Sequence, residues 1–377
     1  MNNQKPVYGV GPTLLSSAVL SLALLGDVLI YVVLPVNAPL FGINIFWVGV
    51  LLAANRVTRI FTLGAIGSLA ERVGPRNLAI AASITATVST LIYGLGEGAS
   101  VLLVGRILWG LSFASLALLI YSYAVADRSK AGTRVGLGRA MHSIGPALVA
   151  LTGPFLAIEY GAKFVFVILG VITALSIPIA FLLPKEAKRR RPPKSHWLPK
   201  PKKFDLFLFT VGLTVDGVFA VAITLSVAET SSISTAMITG GVLVGMRRGL
   251  EVFLSPVSGI LGDRYGTQRL LFISTLAMAI GFVLLALGFF HSGGAIVVIG
   301  RAFIASLWPA ELAHRIPDED IMHRLAVGQT WRDVGAAIGP LIVGSILALM
   351  SLSDIYWVTV VIVIIGLILQ KRPPVTH

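Results

Sequence analysis

Cysteine is missing from all 377 residues, so the chain has no disulfide framework and no thiolate metal site, and any mechanism it runs is thiol-free. Charge is scarce too: 12% of the residues are Asp, Glu, Lys or Arg, where soluble domains carry roughly a quarter. Such a composition excludes an ordinary water-soluble globule. No strand-like alternation runs for the roughly ten residues that an outer-membrane barrel strand needs. A G-x-x-x-x-G-K-[ST] phosphate loop is absent, which argues against ATP-driven work. The six histidines make no H-E-x-x-H spacing and no G-x-S-x-G elbow occurs, so enzyme chemistry is poorly supported and no cofactor is expected.

What fills the chain instead is apolar: 56% of residues, with a mean hydropathy of +0.88. A bilayer core of about 30 Å takes about 20 apolar residues per helix, and only helices or closed barrels satisfy their backbone there. Windows of that length predict spans over 12–36, 43–66, 77–96, 99–125, 135–158, 162–183, 205–228, 234–259, 268–290, 294–314, 324–350 and 353–370. The first, from about Pro12 to Pro35, is too long for a signal-peptide core and has only Lys5 in its flank, so it reads as a retained helix.

The formal charge of +13 sits mainly in short loops that alternate along the chain, which is a membrane pattern and not a nucleic-acid footprint. Arg72, Arg76, Arg128, Lys130, Arg134, Arg264, Arg269, Arg315, Arg324, Lys371 and Arg372 fall on one side; the other side holds little beyond Lys163. The positive-inside rule then puts both termini in the cytoplasm of a bacterial-type inner membrane. Residues 185–203, basic and rich in proline, are too polar to span. They read as a solvated linker, or as a contact for anionic lipid, between a bundle at 1–184 and a second at 204–377.

Self-similarity supports two halves. Gly67, Glu71, Arg72 and Gly74 recur as Gly259, Asp263, Arg264 and Gly266, an offset of 192; Gly105-Arg106 recurs as Gly300-Arg301, offset 195; Gly145-Pro146 recurs as Gly339-Pro340, offset 194. Glycine lets two helix ends approach and turn, while the acid and arginine can pair or meet exposed helix termini, a cluster suited to holding one conformational state.

Gly67, Glu71, Arg72, Gly74 and Arg76 match the loop signature G-x-x-x-D/E-R-x-G-x-R, and on these residues the chain resembles the major facilitator superfamily along essentially its whole length. Arg106 with Gly110 is similar to that family's second motif. Gly335, Gly339, Pro340 and Gly344 resemble its antiporter motif, from which Met141, Val149 and Ala150 depart in the first half. The resemblance implies an all-α membrane protein of twelve transmembrane helices in two pseudo-symmetric six-helix bundles. It also implies secondary transport by alternating access. Tight packing is the alternative reading of these glycines.

Ionisable residues within spans cost roughly 2.5–3.5 kcal/mol each and face water or a partner. They are Asp27, Arg56, Arg59, Arg106, Arg139, His142, Asp216, Arg247, Arg248, Glu251, Arg301, Arg332 and Asp333, eight arginines against four carboxylates. The excess favours an anionic solute, for which guanidinium offers a fixed donor fork. Asp27, Asp216, Glu251 and Asp333 are the candidate proton carriers, because a carboxylate that trades a cation for apolar surroundings between two states loads and releases a proton. The repeat sets Arg56 against Arg248, Arg59 against Glu251 and Arg139 against Asp333 on equivalent faces, which suggests a shared cavity.

Several of these have plainer readings: Arg247 or Arg248 neutralising Glu251 along one helix, Arg139 snorkelling to the interface, Arg106 and Arg301 as struts, His142 as a packing residue. Trp109, Trp308 and Trp331 read as cavity lining or interfacial anchors. The chain is thus expected to be a monomeric, proton-coupled carrier, most simply an exporter of an organic anion, with uptake or drug efflux as alternatives. Anion binding is expected on the arginines of the first half, and coupling in the second half together with Asp27.

Overall fold

The computed structural model describes residues 9–35, 37–185, 199–219, 233–316, 321–346 and 350–371. Most of the basic segment, 186–198, lies outside the described residues, as does the end of the seventh expected span. Among the described residues the chain is helical, with no strand. The first half comprises α1 (Gly11–Val33), α2 (Ile45–Val73), α3 (Pro75–Leu95), α4 (Ala99–Ala124), α5 (Ala131–Tyr160) and α6 (Ala162–Ala174). The second comprises α7 (Lys203–Val211), α8 (Ile233–Tyr265), α9 (Thr267–Ala286), α10 (Phe290–Arg315), α11 (Ile321–Ile346) and α12 (Leu352–Leu369).

Nine of these helices, some with their flanking turns, are long and apolar enough to cross a membrane among the described residues. Helices α7, α8 and α11 are not among them: α7 reaches undescribed residues, α8 carries Arg247, Arg248 and Glu251, and α11 carries Arg324, Arg332 and Asp333. Large apolar side chains such as Leu95, Val171, Phe253 and Ile368 stay exposed on the outside, as a lipid-facing surface requires.

Local sequence explains the differences from the expected spans. The second and eighth helices run past 66 and 259 to Val73 and Tyr265, so Gly67, Glu71, Arg72, Gly259, Asp263 and Arg264 are helical and not loop residues. The chain turns only at Gly74 (φ 88°) and Gly266 (φ 94°), where a side chain would be strained. Helix α6 breaks at Leu175 and resumes as Ser176–Phe181, because Pro178 has no N–H to continue the ladder. Helix α7 continues as a π-helix over Gly212–Phe219, an unusual element that carries Asp216.

The two halves meet along α5 against α8 and α2 against α11, and glycine sets how closely. A β-carbon on Gly259 would lie 2.1 Å from the Gly132 carbonyl oxygen, and one on Gly136 would lie 2.3 Å from that of Ser255. Gly335 and Gly339 admit the backbone of α7 in the same way, and Gly145 admits Ser21 of α1. The glycines of both Gly-Pro pairs therefore sit at helix crossings.

Replacing Gly259 by Ala should force α5 and α8 apart and cost about 1–3 kcal/mol of stability, as overpacking does. Gly249→Ala, on the same helix with nothing described within 4 Å, should be neutral or slightly stabilising. Thermal melts of the two purified variants in detergent measure the difference.

Candidate functional site: an ion-paired polar core

The intramembrane charges gather in one polar core, where no carboxylate stands alone. Asp27 on α1 receives Arg106 of α4 at 2.6 Å. Arg106 is fully buried and spends its other donors on the Leu51 carbonyl (2.9 Å) and the Tyr31 hydroxyl (3.2 Å), with its guanidinium 5.3 Å from the Tyr31 ring. The repeat reproduces the pair in the second half, where Arg301 of α10 donates to Asp216 at 2.7 Å. Both arginines following glycine are therefore struts between helices. Asp216 differs from Asp27 in holding further arginines: Arg332 at 2.6 Å and Arg247 at 3.9 Å.

Two more pairs cross between halves. Arg59 of α2 donates through Nε and a terminal nitrogen to both oxygens of Asp333 on α11, at 2.9 and 2.8 Å. Its guanidinium also lies 4.5 Å from the centre of the Phe113 ring. Arg139 of α5 reaches Glu251 of α8 at 3.3 Å, buried and not snorkelling outward. Arg59 and Glu251 are repeat equivalents, as are Arg139 and Asp333. The second pair is thus the image of the first with its polarity reversed, and in both the first half supplies the cation.

Glu251, 1% exposed, is the most heavily engaged acid of the core. It binds Arg301 as well as Arg139, accepts from Arg248 at 3.3 Å within its own helix, and accepts from the Ser143 hydroxyl at 3.0 Å across the interface. His142 lies beside it, with Nδ1 3.1 Å from the Gly138 carbonyl. Arg56 donates to the Ala336 carbonyl at 2.8 Å.

The first-half arginines expected to bind an anion are, in this geometry, mostly engaged with protein groups. Arg59, Arg106 and Arg139 each meet a carboxylate, whereas the arginines that outnumber their acids surround Asp216 and Glu251. Trp109 and Trp308 are buried in the bundles, at 1% and 0% exposure, and not at span ends. Trp331 is half-buried and donates to the Pro199 carbonyl at 3.0 Å.

The end of the bundle rich in arginine is stitched across the halves as well. Asp263, of the repeated signature, accepts from the backbone N–H groups of Gly132 and Thr133 at the start of α5, both at 2.8 Å, a carboxylate on a helix N-terminus. Arg128 donates to the Ile316 carbonyl, and Gly67 on α2 packs toward Ala326 on α11. Arg76 sits 5.7 Å from the Phe181 ring centre, and Arg264 lies by Tyr265. At the opposite end Lys163 pairs with Glu97, and that hydrogen bond holds the exposed carboxyl below its ordinary range.

Two buried acids escaped the sequence reading: Asp205, paired with Arg324 at 2.6 Å, and Glu311, which accepts from Thr267 at 2.6 Å and Arg315 at 2.8 Å. Glu311 lay inside an expected span, and that alone is a signal of a partner.

Two apolar-sheathed helical bundles closed over an ion-paired core define a multi-pass membrane transporter of small molecules. The family profile described as Major Facilitator Superfamily matches residues 17–246 and 206–377, and the chain belongs to that superfamily. The multidrug resistance protein MdtG of Citrobacter koseri is 26% identical over 325 residues, covering 80% of this chain and 78% of that one. MdtG of Salmonella arizonae is 24% identical over 330 residues, covering 81% of each. The crystal structure of the human organic anion transporter MFSD10 (TETRAN) has a TM-score of 0.77 at 14% identity, covering 98% of this chain and 100% of that one, a likeness of fold.

Removing one partner of a buried pair typically costs 3–5 kcal/mol because the other charge stays behind. Arg59→Asp and Asp333→Arg should therefore each lower the melting temperature sharply, while the double exchange should recover most of the loss. A thermal-melt double-mutant cycle checks this.

Proposed function

We propose that the chain is a proton-coupled secondary transporter of the bacterial inner membrane that exports a small organic anion by alternating access. The single observation that carries this reading is the makeup of the polar core, in which seven arginines meet four carboxylates and an eighth, Arg56, meets the Ala336 carbonyl. Guanidinium keeps its proton and suits an anionic cargo, be it a polycarboxylate metallophore, a phosphorylated metabolite or an amphiphilic acid. The acids are the groups able to change protonation. Asp27, Asp216, Glu251 and Asp333 each hold an arginine here, and a rearrangement that withdraws the arginine leaves a carboxylate that a proton neutralises.

In this reading residues 1–184 and 204–377 rock as units about the core, joined by the basic stretch 185–203, and one copy suffices. Both termini and the arginine-rich end face the cytoplasm, in keeping with the loop charges. The Gly67 to Arg76 signature and its repeat at Gly259 to Gly266 act as the gate at that end, through contacts such as Asp263 on the start of α5. Uptake by symport would use the same groups and the same proton gradient, with the anion crossing in the direction of the proton.

The MdtG relatives favour a second reading, efflux of drugs, because their likeness spans about four fifths of the chain. A cavity for cationic drugs would carry acids and aromatics in excess, and here arginine is in excess.

Two measurements separate the readings. A deletion strain should retain one anionic metabolite in its cytosol and keep its ordinary susceptibility to cationic drugs; drug sensitivity without metabolite retention would favour efflux of drugs. Flux of the retained anion in proteoliposomes should rise severalfold with an imposed pH gradient and fall with a protonophore. Flux indifferent to the gradient would remove the proton from the mechanism.

A further inference from the structure

The two halves treat their repeat-equivalent acid–arginine pairs differently. In the first half Asp27 and Arg106 are matched one to one, and the arginine's remaining donors are taken by Leu51 and Tyr31. Around Asp216 and Glu251 of the second half stand Arg247, Arg248, Arg301 and Arg332 of the same half and Arg139 of the first: five cations on two anions, three positive charges in excess.

The excess is accessible at one place. On α8 the exposed residues Met246, Leu250, Phe253 and Val257 form one face, while buried Glu251, Ser255 and Ser258 form the opposite face together with Arg248. Arg247 stands at the margin of that inner face, with 39% of its side chain exposed, and Arg248 has 19%. The nearest carboxylate oxygen to Arg247 is 3.9 Å away, beyond hydrogen-bond reach, and its buried Nε has no partner among the described residues. The Nε of Arg139, on a side chain 6% exposed, is likewise without one. Two buried guanidinium donors thus lack an acceptor beside an accessible surface of excess positive charge. In an apolar medium an anion supplies both the missing acceptors and the missing charge.

We propose that this cluster seats the anionic group of the cargo, and that the group carries at least two negative charges, as a phosphate monoester or a di- or tricarboxylate does. Arg247 and Arg248 make the first contact, Arg301 and Arg332 supply charge from behind, and Arg139 reaches the group from the other half. The inference rests on the reading that the cargo is an anion. A single carboxylate would leave two of the three charges unmatched, which is why the class is multivalent. The seat also competes with Glu251, whose oxygens already occupy Arg139, Arg248 and Arg301. A cargo oxyanion that takes Arg139 from Glu251 replaces a direct link between the halves with one through the cargo.

Thermal melting of the purified full-length chain tests this with citrate, glycerol 3-phosphate and acetate as probes at matched ionic strength. Citrate or glycerol 3-phosphate should raise the melting temperature of the wild type at millimolar concentration, and acetate should not. Arg247→Gln/Arg248→Gln should weaken the apparent affinity at least about tenfold, the value of one lost charge-assisted hydrogen bond. Lys163→Gln, at the exposed pair with Glu97, should respond as the wild type does. Should the double variant fail to fold, Arg247→Lys keeps the charge without the fork and should weaken binding severalfold. Equal responses to acetate and citrate, or an undiminished response in the double or Arg247→Lys variant, overturn the proposal. Proton-driven anion flux that the double variant sustains at the wild-type rate overturns this seat and leaves the transport reading standing, whereas no response to any anion in either assay removes both.

Discussion

Charge buried at membrane depth has to find its partner inside the protein, and in the following contacts between described residues the donors lie on one half and the acceptors on the other. Arg56, Arg59, Arg128, Arg139, Ser143 and the backbone N–H groups of Gly132 and Thr133 all donate from the first half. Ala336, Asp333, Ile316, Glu251 and Asp263 all accept in the second. A donor face set against an acceptor face has one correct register, since sliding or exchanging the faces would bring like groups together. The close backbone approach at Gly132 and Gly259 depends on that register, as does the seating of α2 on α11.

This polarity also explains how a duplicated architecture avoids repelling itself. Two equal halves would repeat Arg59 at 251 and Arg139 at 333, setting arginine against arginine at both crossings. The charge reversal from Arg59 to Glu251 and from Arg139 to Asp333 converts those equivalent positions into two complementary pairs. Within each half the Asp–Arg strut is retained unchanged, at Asp27–Arg106 and Asp216–Arg301. The halves then part company in how the acids are served: Asp27 holds Arg106 alone, whereas five arginines, Arg139 of the first half among them, surround Asp216 and Glu251.

Much of this was legible in the sequence. Hydropathy gave the helices, the near-constant offset gave the halves, and the cost of charge in a bilayer picked out eight arginines and four acids of the core, and His142 beside them. Pairing was not legible. Asp27 has no cation within its own helix, and only the packing of α1 on α4 brings Arg106 to it, a contact that periodicity does not encode. The repeat correspondence put Arg59 and Glu251 on matching faces, yet each binds a residue of a different helix, because symmetry relates equivalent sites and does not join them. The motif glycines were read as loop because hydropathy falls there, although a helix continues through polar residues until a positive φ stops it at Gly74 and Gly266. The partners of Asp205 and Glu311 were no more legible, because burial against Arg324 or Thr267 is a tertiary fact.

On the alternating-access reading the two cross-half ion pairs, Arg59–Asp333 and Arg139–Glu251, hold the arginine-rich end shut. A β-carbon on Gly67 lies 3.7 Å from that of Ala326, within the usual span of a disulfide, and the chain has no cysteine to interfere. Oxidative cross-linking of Gly67→Cys/Ala326→Cys is therefore a direct measure of closure. High cross-link yield is expected in the otherwise wild-type chain and a sharp fall when Arg59→Gln and Arg139→Gln are added, with the protein still folded by size-exclusion chromatography. An equal yield with both arginines neutralised would contradict it.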